Sequence, residues 1–199
     1  MRLIDTHSHL FLEEFSEDLP QVIERARSAG ITHIFMPNID STTIDSMLSV
    51  CNTYNDYCFP MIGLHPTSVN ADYEKELEIV ARELRSFNKY IAIGEVGMDL
   101  YWDKTFLKEQ QIVLDKQINW ALEYDLPVVI HCRDAFGYIY NVLEPYKNTS
   151  LKGVFHSFTG TDDEAARILE FSGFLIGING VVTFKTVSYT HLRAHETRH

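Results

Sequence analysis

The stretch Pro127-Val128-Val129-Ile130-His131-Cys132-Arg133-Asp134 is a short β-branched apolar run that ends on a histidine and two charged residues. Just before it, Leu114, Ile118, Ala121 and Leu122 recur at helical spacing, so the region reads as a helix feeding a buried strand. The same unit repeats toward the N-terminus. Ile91-Ala92-Ile93-Gly94 follows a helical face of Leu77, Val80, Ala81 and Leu84, and Phe59 to Leu64 follows one of Ile44, Met47, Leu48 and Cys51. Ile31 to Met36 follows Val22, Ile23 and Ala26, with Pro20 in the first helical turn and Gly30 as the stop. Leu3-Ile4-Asp5 opens the series. Downstream come a short helix from Phe136 to Leu143, the strand Gly153-Val154-Phe155, a helix from Asp162 to Phe171 with Asp162 near its cap, and the strand Phe174-Leu175-Ile176-Gly177. An open doubly wound sheet and a TIM (β/α)8 barrel both fit alternating strands and helices, and the regular units favour the barrel. Such a barrel has eight strands and typically about 250 residues. The expectation is therefore a barrel truncated after about seven strands.

The 199 residues are 45% hydrophobic and 23% charged, which fits a globular domain and excludes disordered, collagen-like and coiled-coil chains. Acidic residues outnumber basic ones 28 to 17, and the net charge of −11 disfavours binding to long duplex or to anionic membranes by bulk electrostatics. Cys51, Cys58 and Cys132 lack zinc-ribbon spacing and read as free thiols of a reducing compartment, so the expected location is the cytoplasm. The opening residues do not read as a signal peptide, no run of about 18 apolar residues occurs, and neither a leader nor a membrane partner is expected.

Nine histidines are present, of which His191, His195 and His199 lie near the end of the chain. Of the rest, His7, His9, His65, His131 and His156 each fall at or just beyond the carboxyl end of an expected strand, and only His33 falls inside one. A parallel barrel brings all strand ends to one rim, where its active site lies. Glu95 joins the histidines there, in a Gly-flanked segment read as the loop after the fourth strand. Imidazoles with a carboxylate suit zinc, manganese or iron, or two ions bridged by the acid. His7 and His9, two apart, point the same way and can hold one ion. Arg133 supplies a bidentate donor for an oxyanion or joins a salt bridge. Asp99 reads equally as a turn residue, Cys132 as packed, and His33 as a core histidine.

Six motifs, in order, resemble the TatD family of metal-dependent deoxyribonucleases. They are Asp5-Thr6-His7-Ser8-His9, Gly63-Leu64-His65-Pro66, Gly94-Glu95-Val96-Gly97-Met98-Asp99, His131-Cys132-Arg133-Asp134-Ala135, His156-Ser157-Phe158-Thr159-Gly160 and Thr183-Phe184-Lys185. The resemblance implies a barrel of the metal-dependent hydrolase type over residues 1–186. It implies two divalent metal ions, Mg, Mn or Zn, with His7 and His9 on one, Glu95 bridging, and His131 and His156 on the second. His65 and Arg133 would face substrate phosphate. Together with Glu95 they are the expected catalytic set. The implied reaction is 3′–5′ exonucleolytic cleavage of phosphodiester bonds by a metal-activated water, with single-stranded DNA ends as nucleic-acid partner. The sequence does not fix an oligomeric state, and a monomer is the default expectation. Phe11, Phe15, Tyr101 and Trp102 are candidates for stacking on bases, or else pack.

The family pattern includes an acidic ligand after strand eight, in an ETDxP-like motif that this sequence lacks. Residues 187–199 resemble translated adaptor sequence and are expected to be a non-native, disordered tail. Two alternatives stay open: a metal-dependent ester, amide or lactone hydrolase on the same barrel, and an inactive truncated chain.

Overall fold

In the computed structural model, residues 2–86 and 89–180 are described. The tail 187–199 and Thr183-Phe184-Lys185 lie outside the described residues. The described chain alternates β1 (Leu3–Asp5), α1 (Leu19–Ser28), β2 (Ile31–Met36), α2 (Ile44–Thr53), β3 (Cys58–Pro60), α3 (Tyr73–Ser86), β4 (Ile93–Asp99), α4 (Leu107–Glu123), β5 (Val128–Arg133), α5 (Phe136–Leu143), β6 (Gly153–Phe155), α6 (Asp162–Ile168) and β7 (Phe174–Ile176). Every strand pairing is parallel. The strands form a sheet β1-β2-β3 and a sheet β4-β5-β6-β7, joined by a parallel bridge between Ile62 and Ile93. They therefore follow one another in chain order around an arc, the α/β topology of a barrel wall. Among the described residues β1 and β7 are not paired with each other.

Burial follows the periodicities. Val80 and Leu84 of α3 and Leu114, Ile118 and Ala121 of α4 are buried against the outer face of the strands, where Ile34, Met36, Ile62, Ile93, Met98 and Ile130 supply the strand side, while Leu77 packs with Leu64, Val69 and Val113 in a smaller cluster. Inside the arc, Phe35, Met61, Val129, Val154 and Phe174 line an apolar cavity of about 730 Å³.

Three boundaries depart from the sequence reading. β3 ends at Pro60, which has no N–H for the ladder; beyond it, Met61 still donates to the Met36 carbonyl at 2.9 Å and Ile62 reaches β4 only as the single bridge. α6 stops at Ile168, and its cap is Thr161, one residue before Asp162. The Thr161 hydroxyl accepts from the Glu164 N–H at 3.2 Å, and Glu164 Oε2 accepts from the Thr161 N–H at 2.8 Å.

The third correction matters most. Glu95 does not lie in a loop after the fourth strand; it lies within β4, which runs on through Gly94, Gly97 and Asp99 with every residue buried. Glycine marks close backbone approach here. Gly97 has φ +138, and a Cβ built on it would sit 2.0 Å from the His131 carbonyl oxygen across the β4–β5 pair. Gly97→Ala is expected to lose about 1–3 kcal/mol from backbone strain alone, with the clash in addition. By contrast Gly137, on α5 with open space around its Cα, is expected to gain up to about 1 kcal/mol as Gly137→Ala. Urea unfolding of the two variants beside the parent checks both signs.

Candidate metal centre

His7, His9, His65 and His156 come from the turns after their strands, His131 from the carboxyl-terminal half of β5 and Glu95 from within β4. Asp5 Oδ1 accepts from the His7 N–H at 3.1 Å, and the Ser8 N–H donates to the Phe35 carbonyl of β2 at 3.0 Å. This turn brings His7 and His9 together with their Nε2 atoms 3.2 Å apart. His7 stacks on His156, centroids 3.5 Å apart, and His9 lies edge-on to Phe11 at 5.6 Å. His156 follows β6, where its backbone N–H donates to the Ile130 carbonyl at 2.8 Å.

Glu95 is the hub. It is 3% exposed, and its two oxygens face imidazoles from three strand ends. Oε2 lies 3.0 Å from His7 Nε2, 3.8 Å from His9 Nε2 and 3.7 Å from His65 Nε2, while Oε1 lies 3.2 Å from His131 Nδ1. Burial alone would raise the Glu95 pKa, but the hydrogen bonds from His131 and His7 outweigh it and hold the value well below the ordinary carboxylate range. Its carboxylate is thus ionised at neutral pH.

The histidines around it divide by protonation. Burial lowers the pKa of His9 and takes those of His65 and His156 down to about 4, so these rings are neutral at pH 7. For His131 burial also lowers the pKa, yet the hydrogen bonds and charges of Glu95 and Asp99 outweigh it and leave the value raised. Asp99 Oδ2 stands 2.9 Å from His131 Nε2 and accepts its proton, which leaves Nδ1 turned toward Glu95. This is the carboxylate–histidine arrangement that orients a ligating imidazole.

Two groups of donor atoms lie close enough to hold an ion: His7, His9 and Glu95, and His65, Glu95 and His131. The first fits chemically. Ligand atoms about 2.0–2.1 Å from a tetrahedral ion lie roughly 3.3 Å apart, and here Nε2, Nε2 and Oε2 are separated by 3.2, 3.0 and 3.8 Å. Each of the three atoms can offer a lone pair to a cation when His7 and His9 are neutral with the proton on Nδ1, and His7 Nδ1 is buried with no hydrogen-bond partner among the described residues. In the second group His65 fits less well as a ligand. Its Nδ1 caps the 3-10 turn Pro66–Ser68 by accepting from the Thr67 N–H at 3.2 Å, so in the neutral ring the proton sits on Nε2. His65 therefore presents a donor to the site.

Other expected positions sort by packing. Arg133 is exposed, and its guanidinium lies 3.8 Å from the Tyr101 ring centroid and 5.4 Å from that of Trp102. Neither a salt bridge nor a hydrogen bond from its side chain is formed among the described residues. Tyr101 and Trp102 are 53% and 75% exposed, whereas Phe11 is buried in the core, which withdraws it from stacking, and Phe15 is half-buried against that core. Cys132 packs against the core with its thiol pKa pushed up to about 12 by burial. His33 stacks on Phe59 and pairs with the Thr32 hydroxyl.

Two residues were not foreseen in these roles. Asp99 shares the Glu95 face of β4, since residues four apart in a strand point the same way, but reading this segment as a loop concealed that period. Asn38, after β2, is fully buried; its Nδ2 donates to the carbonyls of Gly63 at 2.9 Å and Asp40 at 3.0 Å, and its Oδ1 accepts from the Thr43 hydroxyl. It ties together the ends of β2 and β3, and nothing in its sequence neighbourhood signals that.

Among the described residues no helix is long and apolar enough to cross a membrane. The sequence profile of the TatD related DNase family matches residues 4–197. An uncharacterized metal-dependent hydrolase, YabD of Bacillus subtilis (strain 168), is 35% identical over 92% of this chain and 71% of its own length. The 3′-5′ ssDNA/RNA exonuclease TatD of Pantoea ananatis (strain LMG 20103) is 30% identical over 90% of this chain and 68% of its own. The crystal structure of YjjV, a TatD homolog from Escherichia coli K12, superposes with a TM-score of 0.86 at 32% identity, covering 95% of this chain and 72% of that one. An uncharacterized amidohydrolase from Saccharomyces cerevisiae shares the fold, with a TM-score of 0.78 at 17% identity over 92% of this chain and 69% of that one. With its metal-suited donors gathered at one end of a parallel strand arc, the chain belongs to the TatD related DNase family of metal-dependent hydrolases.

Proposed function

We propose that the chain is the core of a cytoplasmic 3′–5′ exodeoxyribonuclease that cleaves phosphodiester bonds at single-stranded DNA ends with two divalent metal ions. The observation that carries this reading is the ionised, buried Glu95, faced at 3.0–3.8 Å by imidazole nitrogens of His7, His9, His65 and His131. His7, His9 and Glu95 would hold one ion and Glu95 and His131 would contribute to the second, with His156, stacked on His7 and outside both close donor groups, as its further expected ligand. Bound there, Mg, Mn or Zn supplies Lewis acidity toward a phosphoryl oxygen and lowers the pKa of water.

The chain's own groups do the rest. Asp99 takes the His131 Nε2 proton in a hydrogen bond at 2.9 Å and keeps Nδ1 aimed inward. His65 offers its Nε2–H to a non-bridging phosphate oxygen. Arg133, whose guanidinium sits over the Tyr101 ring at 3.8 Å with Trp102 at 5.4 Å, keeps its N–H fork free for a second oxygen in a bidentate contact. The exposed faces of Tyr101 and Trp102 can carry an unpaired base, a contact worth about 1–3 kcal/mol. These local contacts offset a net charge of −11 that would otherwise repel the substrate.

Glu95→Gln is expected to abolish saturable Mn²⁺ binding in a calorimetric titration and hydrolysis together; a variant that keeps both removes Glu95 from the bridging position. Substrate class is checked by offering the Mn²⁺-loaded protein a 3′-ended single-stranded oligonucleotide beside a panel of aryl esters, amides and lactones. Stepwise shortening of the oligonucleotide is the expected result, and turnover confined to the panel would replace the nuclease reading by the ester, amide or lactone one. Arg133→Ala is expected to raise the oligonucleotide KM by roughly ten-fold, the loss of a charged hydrogen bond of about 1.5 kcal/mol, while Mn²⁺ affinity stays at the parent value.

A further inference from the structure

The proposed site has two outer supports that share one helix. α4 buries two glutamines on its inner face, Gln117 fully and Gln110 at 4% exposure. Each grips a single backbone residue twice. Gln117 Oε1 accepts from the Leu64 N–H at 2.7 Å and its Nε2 donates to the Leu64 carbonyl at 3.2 Å. Gln110 Oε1 accepts from the Asp99 N–H at 2.9 Å and its Nε2 donates to the Asp99 carbonyl at 3.2 Å.

Both gripped residues border the site. Leu64 precedes His65, whose N–H donates to the Ile39 carbonyl at 2.7 Å and whose ring is set by Thr67. Asp99 holds His131. The glutamines are two helical turns apart, about 10 Å along the axis. A hydrophobic residue at either place would fill the volume, so amides that satisfy one backbone unit in full, at the cost of burial, point to fixing position as well as packing.

We propose that α4 is a two-point clamp in which Gln117 positions His65 for substrate contact and Gln110 positions the Asp99–His131 pair for cation binding, each independently of the other. This rests on the functional reading above. His7 and His9 receive no hydrogen bond from α4, so the clamp acts on the His65 and His131 side of Glu95 alone.

The test uses the full chain with Gln110→Met and Gln117→Met, which keep volume and remove the amide. Ile23→Ala in α1, a buried residue remote from these contacts, serves as a control for lost stability. Mn²⁺ affinity is read by calorimetry and KM from oligonucleotide hydrolysis. Gln110→Met is expected to weaken Mn²⁺ binding about ten-fold, the range for an outer hydrogen-bond partner of a ligand. Gln117→Met is expected to keep parent Mn²⁺ affinity and to raise KM about ten-fold with kcat within two-fold. Where a Met variant does not fold, the Asn variant, whose amide is withdrawn by one methylene, takes its place with the same expectations. Parallel losses in both readouts that track melting temperature, as in Ile23→Ala, overturn the clamp and leave the glutamines structural; so does no change in either. A parent protein that binds no Mn²⁺ or leaves the oligonucleotide intact overturns the functional reading itself.

Discussion

An ionised carboxylate in a dry interior is among the costliest groups a fold can hold, at several kcal/mol unless paired. Glu95 is such a group, and the arrangement of the strand ends around it follows from that cost. Four imidazole nitrogens reach its oxygens, and the neutral rings among them cannot by themselves balance its charge. The donor set around it, drawn from three different strand ends, is one that suits a divalent cation, in keeping with a family of metal-dependent hydrolases.

Holding that arrangement is the task of neutral amides as much as of charges. Asn38 ties the ends of β2 and β3, Gln117 fixes the residue before His65, and Gln110 fixes Asp99. Each uses both ends of its amide, so it joins backbone segments without adding charge beside Glu95. Gly97 contributes by lacking a side chain, because β4 and β5 close beneath His131 only where no Cβ intervenes.

Much of this was legible in the sequence because burial imposes periodicity. Apolar residues at helical spacing before β-branched runs located the elements, since a strand covered on both faces has to be apolar throughout. Histidines at the ends of those runs located the rim. The reading faltered where residue type and backbone state diverge. Gly94, Glu95 and Gly97 have loop-like composition, yet they form a buried strand, because glycine weakens a strand by propensity and is still selected where backbones must approach. Asp99 was hidden by the same error, and Asn38 and the two glutamines look like ordinary polar residues until their partners are seen.

The order of strands and helices, the gathering of His7, His9, His65, His131 and His156 toward one rim, and the family to which these motifs belong can all be read from the residues in line, because periodicity and strand polarity are local properties. Which atoms meet depends on the folded chain. It turned His65 Nδ1 toward Thr67 and so made Nε2 a donor, set Asp99 behind His131, laid Arg133 on Tyr101 and Trp102, and withdrew Phe11 into the core. Those outcomes depend on contacts between residues distant in the chain, and the direction of a side chain or the tautomer of a ring is settled by the partner it finds there.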